Sequence, residues 1–334
     1  MTPFISVIIP NRNGAATIGK CLAAVLASRH DNFEVIVVDD GSEDDSVEVI
    51  KRFPCRLIRL ARHGGAAKAR NAGAQEARGS ILFFTDADCL LQPDTLAIAG
   101  ESLARAGASA VAGGTYTPLP YDRRFFSIFQ SAFIHYSETK NPQRPDYLAT
   151  HALAIPAPIF RQSGGFHEEF LPILEDVEFS HRLRRMGYLL TLNPALQVQH
   201  IFEFSLFRSL ANAVVKTKYW TWYSIRNGDL LADSGTASLG LKLNAAVYFL
   251  GLLFLLLFFA TGSVLFLSAL AAAIVLNLYG NRGLLRAFYD TGGMGFALGA
   301  AAYYLLLYPL AVGMGACAGV RKYLRGFVKP GWQH

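Results

Sequence analysis

From Leu243 to Tyr279 the chain runs for roughly 37 residues without a charged side chain, and no other feature restricts its folding as much. As one helix that run would extend about 55 Å, close to twice the ~30 Å hydrocarbon thickness of a bilayer, so one crossing does not account for it. Ala260-Thr261-Gly262-Ser263 sits in its middle, and this small-residue break predicts two helices joined by a tight turn. A third apolar stretch, Gly292 to Val320, carries Pro309, Gly313 and Gly315, which membrane helices tolerate where neighbours satisfy the freed backbone. A buried helical hairpin of a soluble protein is the competing reading, but such length without charge favours a transmembrane region over 241–334. Arg321, Lys322, Arg325 and Lys329 close the chain and, within a net charge of +6, point to anionic lipid headgroups rather than nucleic acid. Three crossings would set that tail across the membrane from the N-terminus, against the positive-inside tendency. One stretch is therefore expected to be re-entrant or interfacial.

The N-terminus, Met1-Thr2-Pro3-Phe4, leads directly into an apolar strand and has no basic start, apolar core or cleavage site of a signal peptide. The expectation is a multi-pass protein of the cytoplasmic (inner) membrane with its N-terminal domain facing the cytoplasm. Cys21, Cys55, Cys89 and Cys317 are widely spaced, which fits a reducing compartment, and they receive no functional assignment. From residue 4 to about 115, apolar runs alternate with helical segments. Runs such as Val35-Ile36-Val37-Val38 are continuously apolar, as in a parallel sheet covered on both faces, so the expected class is α/β, doubly wound. Ligands of such sheets bind at the carboxyl ends of the strands, where Asn11, Asp39, Asp40 and Asp86 fall. After residue 115 the rhythm changes to mixed elements, read as the acceptor half of one domain ending near residue 200. Between 201 and 240, Phe202, Phe204, Phe207, Tyr219, Trp220 and Trp222 interleave with Lys216, Lys218 and Arg226. That pattern predicts an interfacial helix, with core packing as its alternative.

Three short stretches offer chemistry. In Asp86-Ala87-Asp88, directly behind the apolar run Ile81–Thr85, two carboxylates separated by one residue can face one cleft and hold a hard divalent cation, or stand as solvated loop acids. Asp39-Asp40-Gly41-Ser42 puts an acceptor for a base N–H beside a glycine that lets the backbone turn close to a ligand, or forms only a turn. In Gly64-Gly65-Ala66-Ala67-Lys68-Ala69-Arg70-Asn71-Ala72-Gly73, Lys68 or Arg70 is placed to face a diphosphate, unless both belong to a solvated basic face.

With Pro10, Gly164-Gly165-Phe166 followed by Glu168, Glu175-Asp176, Phe179-Ser180-x-Arg182 and Gly187-Tyr188, these stretches resemble, in order and spacing, a family-2 glycosyltransferase of the GT-A fold over residues 4 to 200. The resemblance implies a nucleotide-diphosphate sugar donor, with Asp40 bonding a pyrimidine base that Pro10 and Arg12 frame, and Asn11, Asp39 and Ala87 in the same donor pocket. Arg12 stands where many relatives place an aromatic. The resemblance also implies that Asp86 contacts ribose or metal, that Asp88 ligates the cation, and that His200 is a further ligand, with a purely structural histidine as alternative. Carboxylate and phosphate oxygens suit Mg²⁺ or Mn²⁺, and an imidazole tilts the choice towards Mn²⁺.

Transfer of a sugar to a hydroxyl needs a base opposite the departing nucleotide. Asp176 is the candidate, able to cap its helix as well, while Glu175 and Glu178 order the acceptor or are solvated. The acidic pair favours a hydroxyl acceptor over an already anionic polyprenyl phosphate. The absence of a Gln-x-x-Arg-Trp motif favours single addition. The expected enzyme is thus an inverting hexosyltransferase adding one sugar, with a UDP-sugar as the expected donor, to a lipid-linked or membrane-associated acceptor in envelope glycan or glycolipid synthesis. The alternatives are a polyprenyl-phosphate glycosyltransferase and an inactive nucleotide-sugar-binding membrane scaffold; homo-oligomerisation stays open.

Overall fold

The computed structural model describes residues 2–168 and 173–326, so Lys329 of the expected basic tail lies outside the described residues. The chain divides into two compact units, one of residues 1–123 with 138–203 and one of residues 124–137 with the chain from Phe204 onwards. This division differs from a single domain over 1–200, because the aromatic segment 124–137 packs with the second unit.

In the first unit β1 (Ile5–Asn11), α1 (Ile18–Leu26), β2 (Phe33–Asp39), α2 (Ser46–Ile50), β3 (Arg56–Arg59), α3 (Ala66–Glu76) and β4 (Ile81–Phe84) alternate as the apolar runs predict. There follow β5 (Cys89–Leu91), α4 (Thr95–Ala106) and β6 (Ala110–Tyr116). Helix α5 (Phe125–Thr139) lies mostly in the second unit, and the chain returns through β7 (Leu153–Pro156), α6 (Ala157–Gln162), α7 (Glu175–Arg185) and β8 (Leu189–His200). One eight-stranded sheet results, in the order β3-β2-β1-β4-β7-β6-β8-β5. Strands β3, β2, β1 and β4 pair in parallel, whereas β7 is antiparallel to both its neighbours and β5 is antiparallel to β8. The expected α/β class holds, with antiparallel strands joining the parallel set beyond β4. A core of Ile8, Leu82, Phe84, Ile155, Phe160, Phe166 and Phe179 joins the sheet to α6 and α7. Its rings meet edge to face or tilted, with Phe84 and Phe166 centroids 5.3 Å apart and Phe166 and Phe179 4.6 Å apart.

The second unit adds α8 (Leu206–Asn227), α9 (Leu239–Thr261), α10 (Val264–Gly280), α11 (Arg282–Ala302), a π-helical turn over Tyr303–Leu307 and α12 (Tyr308–Gly326). The expected break in the long apolar run is present: α9 ends at Thr261, with Gly262 in the left-handed region (φ 70°), and α10 starts at Val264. Leu239–Thr261 and the run Arg282–Arg325 are each long and apolar enough to cross a membrane, and Val264–Gly280 is a shorter apolar helix.

Candidate active site

The register of the sheet builds the site. Asn11 at the end of β1 lies beside Asp39 at the end of β2, and its amide donates to Asp39 Oδ1 (3.2 Å) and to Ser42 Oγ (3.2 Å). Asp39 Oδ2 accepts from the Ser42 backbone N–H (3.2 Å), which closes the turn after β2. Asp40, 3% exposed, accepts from the backbone N–H groups of Gly64 (2.7 Å) and Gly65 (2.8 Å) and lies 2.7 Å from His63 Nδ1. This carboxylate therefore moulds the glycine loop that starts α3. Pro10 is partly buried at the end of β1, and Arg12 and Lys68 are exposed.

Arg70 is the pivot of the cleft. It is buried, stacks over the Phe166 ring (5.9 Å), and its guanidinium donates through Nη2 to Asp86 Oδ1 and through Nη1 to Glu175 Oε1, each at 2.6 Å. One side chain thus ties the strand end carrying the acidic triplet to the first turn of α7. Burial works against the Asp86 charge, yet Arg70, with help from His151 and His200, holds its carboxyl below the usual value of 3.8. Leu174, in the left-handed region at φ 77°, turns the chain into α7 and sets Glu175 and Asp176 at its start. Neither glutamate of that helix is solvated. Glu175 is held by Arg70, and Glu178 is buried and bridged by Arg182 (3.1 Å).

At the other side of the triplet, Cys89 and His200 are cross-strand partners of β5 and β8, and His200 Nε2 lies 3.4 Å from Asp88 Oδ2. The Cys89 thiol sits 3.8 Å from Asp88 Oδ1. Asp88, Cys89 and His200 offer ligand atoms all within 4.8 Å of one another, and Asp86 lies outside that group. The carboxylate with the imidazole fits a divalent transition ion such as Mn²⁺ better than Mg²⁺, whereas burial and the neighbouring carboxylates push the Cys89 thiol well up and leave it a weak ligand. Desolvation and the neighbouring Asp86 charge push the Asp88 carboxyl above 3.8 against the pull of His200, although its tip reaches solvent. A countercharge at this spot would relieve that repulsion.

No sequence pattern signals the ring ladder behind these residues. His200 stacks on Phe202 (3.9 Å) and meets Tyr116 edge-on (5.0 Å), and Tyr116 stacks on His151 (3.9 Å). His151, just ahead of β7, lies 3.6 Å from Glu138 and accepts at its carbonyl from the Thr85 hydroxyl (2.9 Å). The only trace in the sequence is that His151 and Tyr116 each sit at a strand end.

Residues 6–162 match the family model described as glycosyl transferase family 2. The chain is 29% identical over 196 residues to the glycosyltransferase AglE of Haloferax volcanii, a match covering 57% of this chain and 64% of that protein. It is 29% identical over 131 residues to the glycosyltransferase GlyG of Streptococcus pneumoniae, covering 38% of this chain and 44% of that one, so the matches span less than two thirds of either relative. Among solved structures, the mannosyltransferase PcManGT of Pyrobaculum calidifontis, in complex with GDP-Man and Mn²⁺, aligns over 97% of this chain and 88% of that one with a TM-score of 0.59 at 19% identity. Residues 6–162, a little under half of the chain, thus carry the match to glycosyl transferase family 2, on a mixed α/β sheet of the GT-A fold.

Proposed function

We propose that the chain is a membrane-anchored, inverting glycosyltransferase that moves one sugar from a nucleotide-diphosphate sugar, a UDP-sugar by preference, to a hydroxyl of a lipid-linked acceptor. The observation that carries this reading is the Arg70 bridge, which joins the donor-side Asp86 to Glu175, next to the candidate base Asp176. Asp88 and His200, with Cys89 beside them, are the groups that would hold a divalent cation, and such an ion supplies positive charge to the departing diphosphate. Asp39 and Asp40 shape the loops that receive the nucleoside. Asp176 takes the proton of the acceptor hydroxyl as that oxygen bonds to the anomeric carbon, and the bond from that carbon to the diphosphate oxygen breaks on the opposite face. Arg70 holds the two carboxylates beside it in place and favours the ionised form of Asp86.

Asp176→Asn tests the base. Sugar transfer should fall about 10²–10⁴-fold with donor binding retained, and unchanged turnover would remove Asp176 from that role. Incubation of membranes with radiolabelled donor separates the acceptors, because an acid-stable glycoside supports a hydroxyl and an acid-labile product points to polyprenyl phosphate.

A further inference from the structure

The helices of the second unit carry an inference about which of them enters the bilayer; it rests on the membrane-anchored reading above. Helices α9 and α10 form an antiparallel hairpin in which Leu243 meets Gly280 and Gly251 meets Leu270. With 23 and 17 residues they reach about 34 and 26 Å, close to the ~30 Å of a hydrocarbon core. Large apolar side chains cover the hairpin, with Leu256 67%, Phe259 80% and Leu265 77% exposed, a surface that water does not tolerate over such an area.

The open end of the hairpin is polar, and it marks the headgroup level. The Lys242 ammonium donates to the Ala232 carbonyl, and the Arg282 guanidinium lies 4.1 Å from the centre of the Tyr279 ring. Between them lies a closed network of buried groups. The Asn277 amide donates to Asn244 Oδ1 (2.8 Å), the Asn281 amide to Asn277 Oδ1 (2.8 Å), and the Tyr304 hydroxyl to Asn281 Oδ1 (3.0 Å). The Asn244 amide donates in turn to the Tyr304 carbonyl (2.7 Å), in the π-helical turn.

Tyr304 sits near the middle of the third apolar stretch, Gly292 to Val320. Were that stretch to cross, its midpoint would lie about 15 Å below the headgroups, not at the open end of the hairpin. Further on, Gly313 packs against the Phe249 ring, less than two turns along α9 from Asn244, so α12 stays shallow. Helix α12 is also seated along α8: a Cβ at Gly315 would fall 2.6 Å from the Val214 carbonyl oxygen and one at Gly319 2.5 Å from that of Lys218. Helix α8 carries Arg208, Lys216, Lys218 and Arg226 along its length, and four cations do not enter hydrocarbon with it. The two helices share their cations, since Lys322 of α12 lies 5.5 Å from the Tyr219 ring and 5.4 Å from the Trp222 ring of α8.

We propose that only the α9–α10 hairpin crosses the bilayer, out and back, while α8, α11 and α12 lie along the headgroup layer, so that Arg321, Lys322 and Arg325 end on the same side as α8. The run Arg282–Arg325 passes as a span by length and composition, but its bonds to the hairpin base keep it out. This arrangement removes the conflict between three apolar stretches and a basic tail.

Labelling of introduced cysteines, with the buried Cys21 and Cys89 kept, tests the proposal. In the full chain with Cys55 and Cys317 replaced by serine, a cysteine is placed at Leu231, Ser263 or Leu324 and challenged with a membrane-impermeant maleimide in sealed vesicles of both orientations. The parent without an added cysteine gives the background. Leu231→Cys and Leu324→Cys should react from one face and Ser263→Cys from the other. Reaction of Leu324→Cys from the face opposite Leu231→Cys would overturn the in-plane placement, and reaction of Ser263→Cys from the Leu231 face would overturn the crossing. A chain found in the soluble fraction after cell breakage would instead overturn the membrane reading itself.

Discussion

The two units bury polar groups in opposite ways. The first unit buries charge and pairs it, Arg70 with Asp86 and Glu175 and Arg182 with Glu178, and it ties the mostly covered Glu34 to the exposed Arg78. The network at the base of the hairpin in the second unit is built from three amides and a phenol, each neutral, closed into a ring of hydrogen bonds. On the proposed function, ionised side chains suit a cleft that meets a charged diphosphate and stays open to water, where their field is useful and their hydration is partly kept. On the same proposal, amides suit helices set against lipid, because they satisfy one another without bringing in an uncompensated charge.

The strongest way to break this comparison is Arg70→Leu, which leaves two carboxylates facing each other in the cleft. Loss of about 3–5 kcal/mol is expected in denaturant unfolding, together with loss of transfer. Arg70→Lys should recover part of the stability and less of the rate, because an ammonium cannot fork to both acids. If Arg70→Leu unfolds like wild type, the paired charges of the first unit do not hold it together.

Acid titration comes next. Glu34, 11% exposed, accepts from the Ser6 hydroxyl (2.7 Å), the Arg78 N–H (2.7 Å) and the Arg78 guanidinium. These bonds overcome burial and hold its carboxyl below the usual 4.5. A carboxylate depressed in the folded state contributes stability that is complete above its unfolded value and lost as pH falls through the folded one, so the contribution fades below pH 4.5. Glu34→Gln should cost about 1.5–3 kcal/mol at neutral pH, and the difference from wild type should shrink as the pH is lowered beneath that value. Melting curves across the acid range check this, and a gap independent of pH would mean that charge is not what Glu34 contributes.

The smallest effect is expected in the helices. Asn277→Leu opens the amide ring, and the cost should be about 0.6–1.7 kcal/mol in detergent, with sugar transfer by the folded fraction unchanged. A loss as large as that of Arg70→Leu would erase the contrast between the units.

Much of the region up to β4 was legible in the sequence because strands alternate with helices along the chain, and polar residues stand at or just past the ends of β1, β2 and β4, namely Asn11, Asp39 and Asp86. The region after β6 was not, because β7 enters antiparallel between β4 and β6 and sets His151 beside Thr85, while the bulged β6–β8 pairing sets Tyr116 beside His200. Lys68 and Arg70 stood as equals in the sequence. Two residues apart on a helix they face different ways, and the fold buries one between acids while leaving the other in water. The third apolar stretch could be recognised by composition, but the bonds that Tyr304 makes to Asn244 and Asn281 are tertiary contacts that no local pattern encodes.

Leu174 leaves a last consequence for how the start of α7 is aimed. A left-handed turn at a buried leucine costs on the order of 1–3 kcal/mol, and glycine would adopt it freely. Glycine would also give up the apolar anchor that locks the turn in one pose. The direction of Asp176 is therefore a matter of grip more than of backbone preference, and a variant with a more relaxed turn would gain ease of folding while losing its aim.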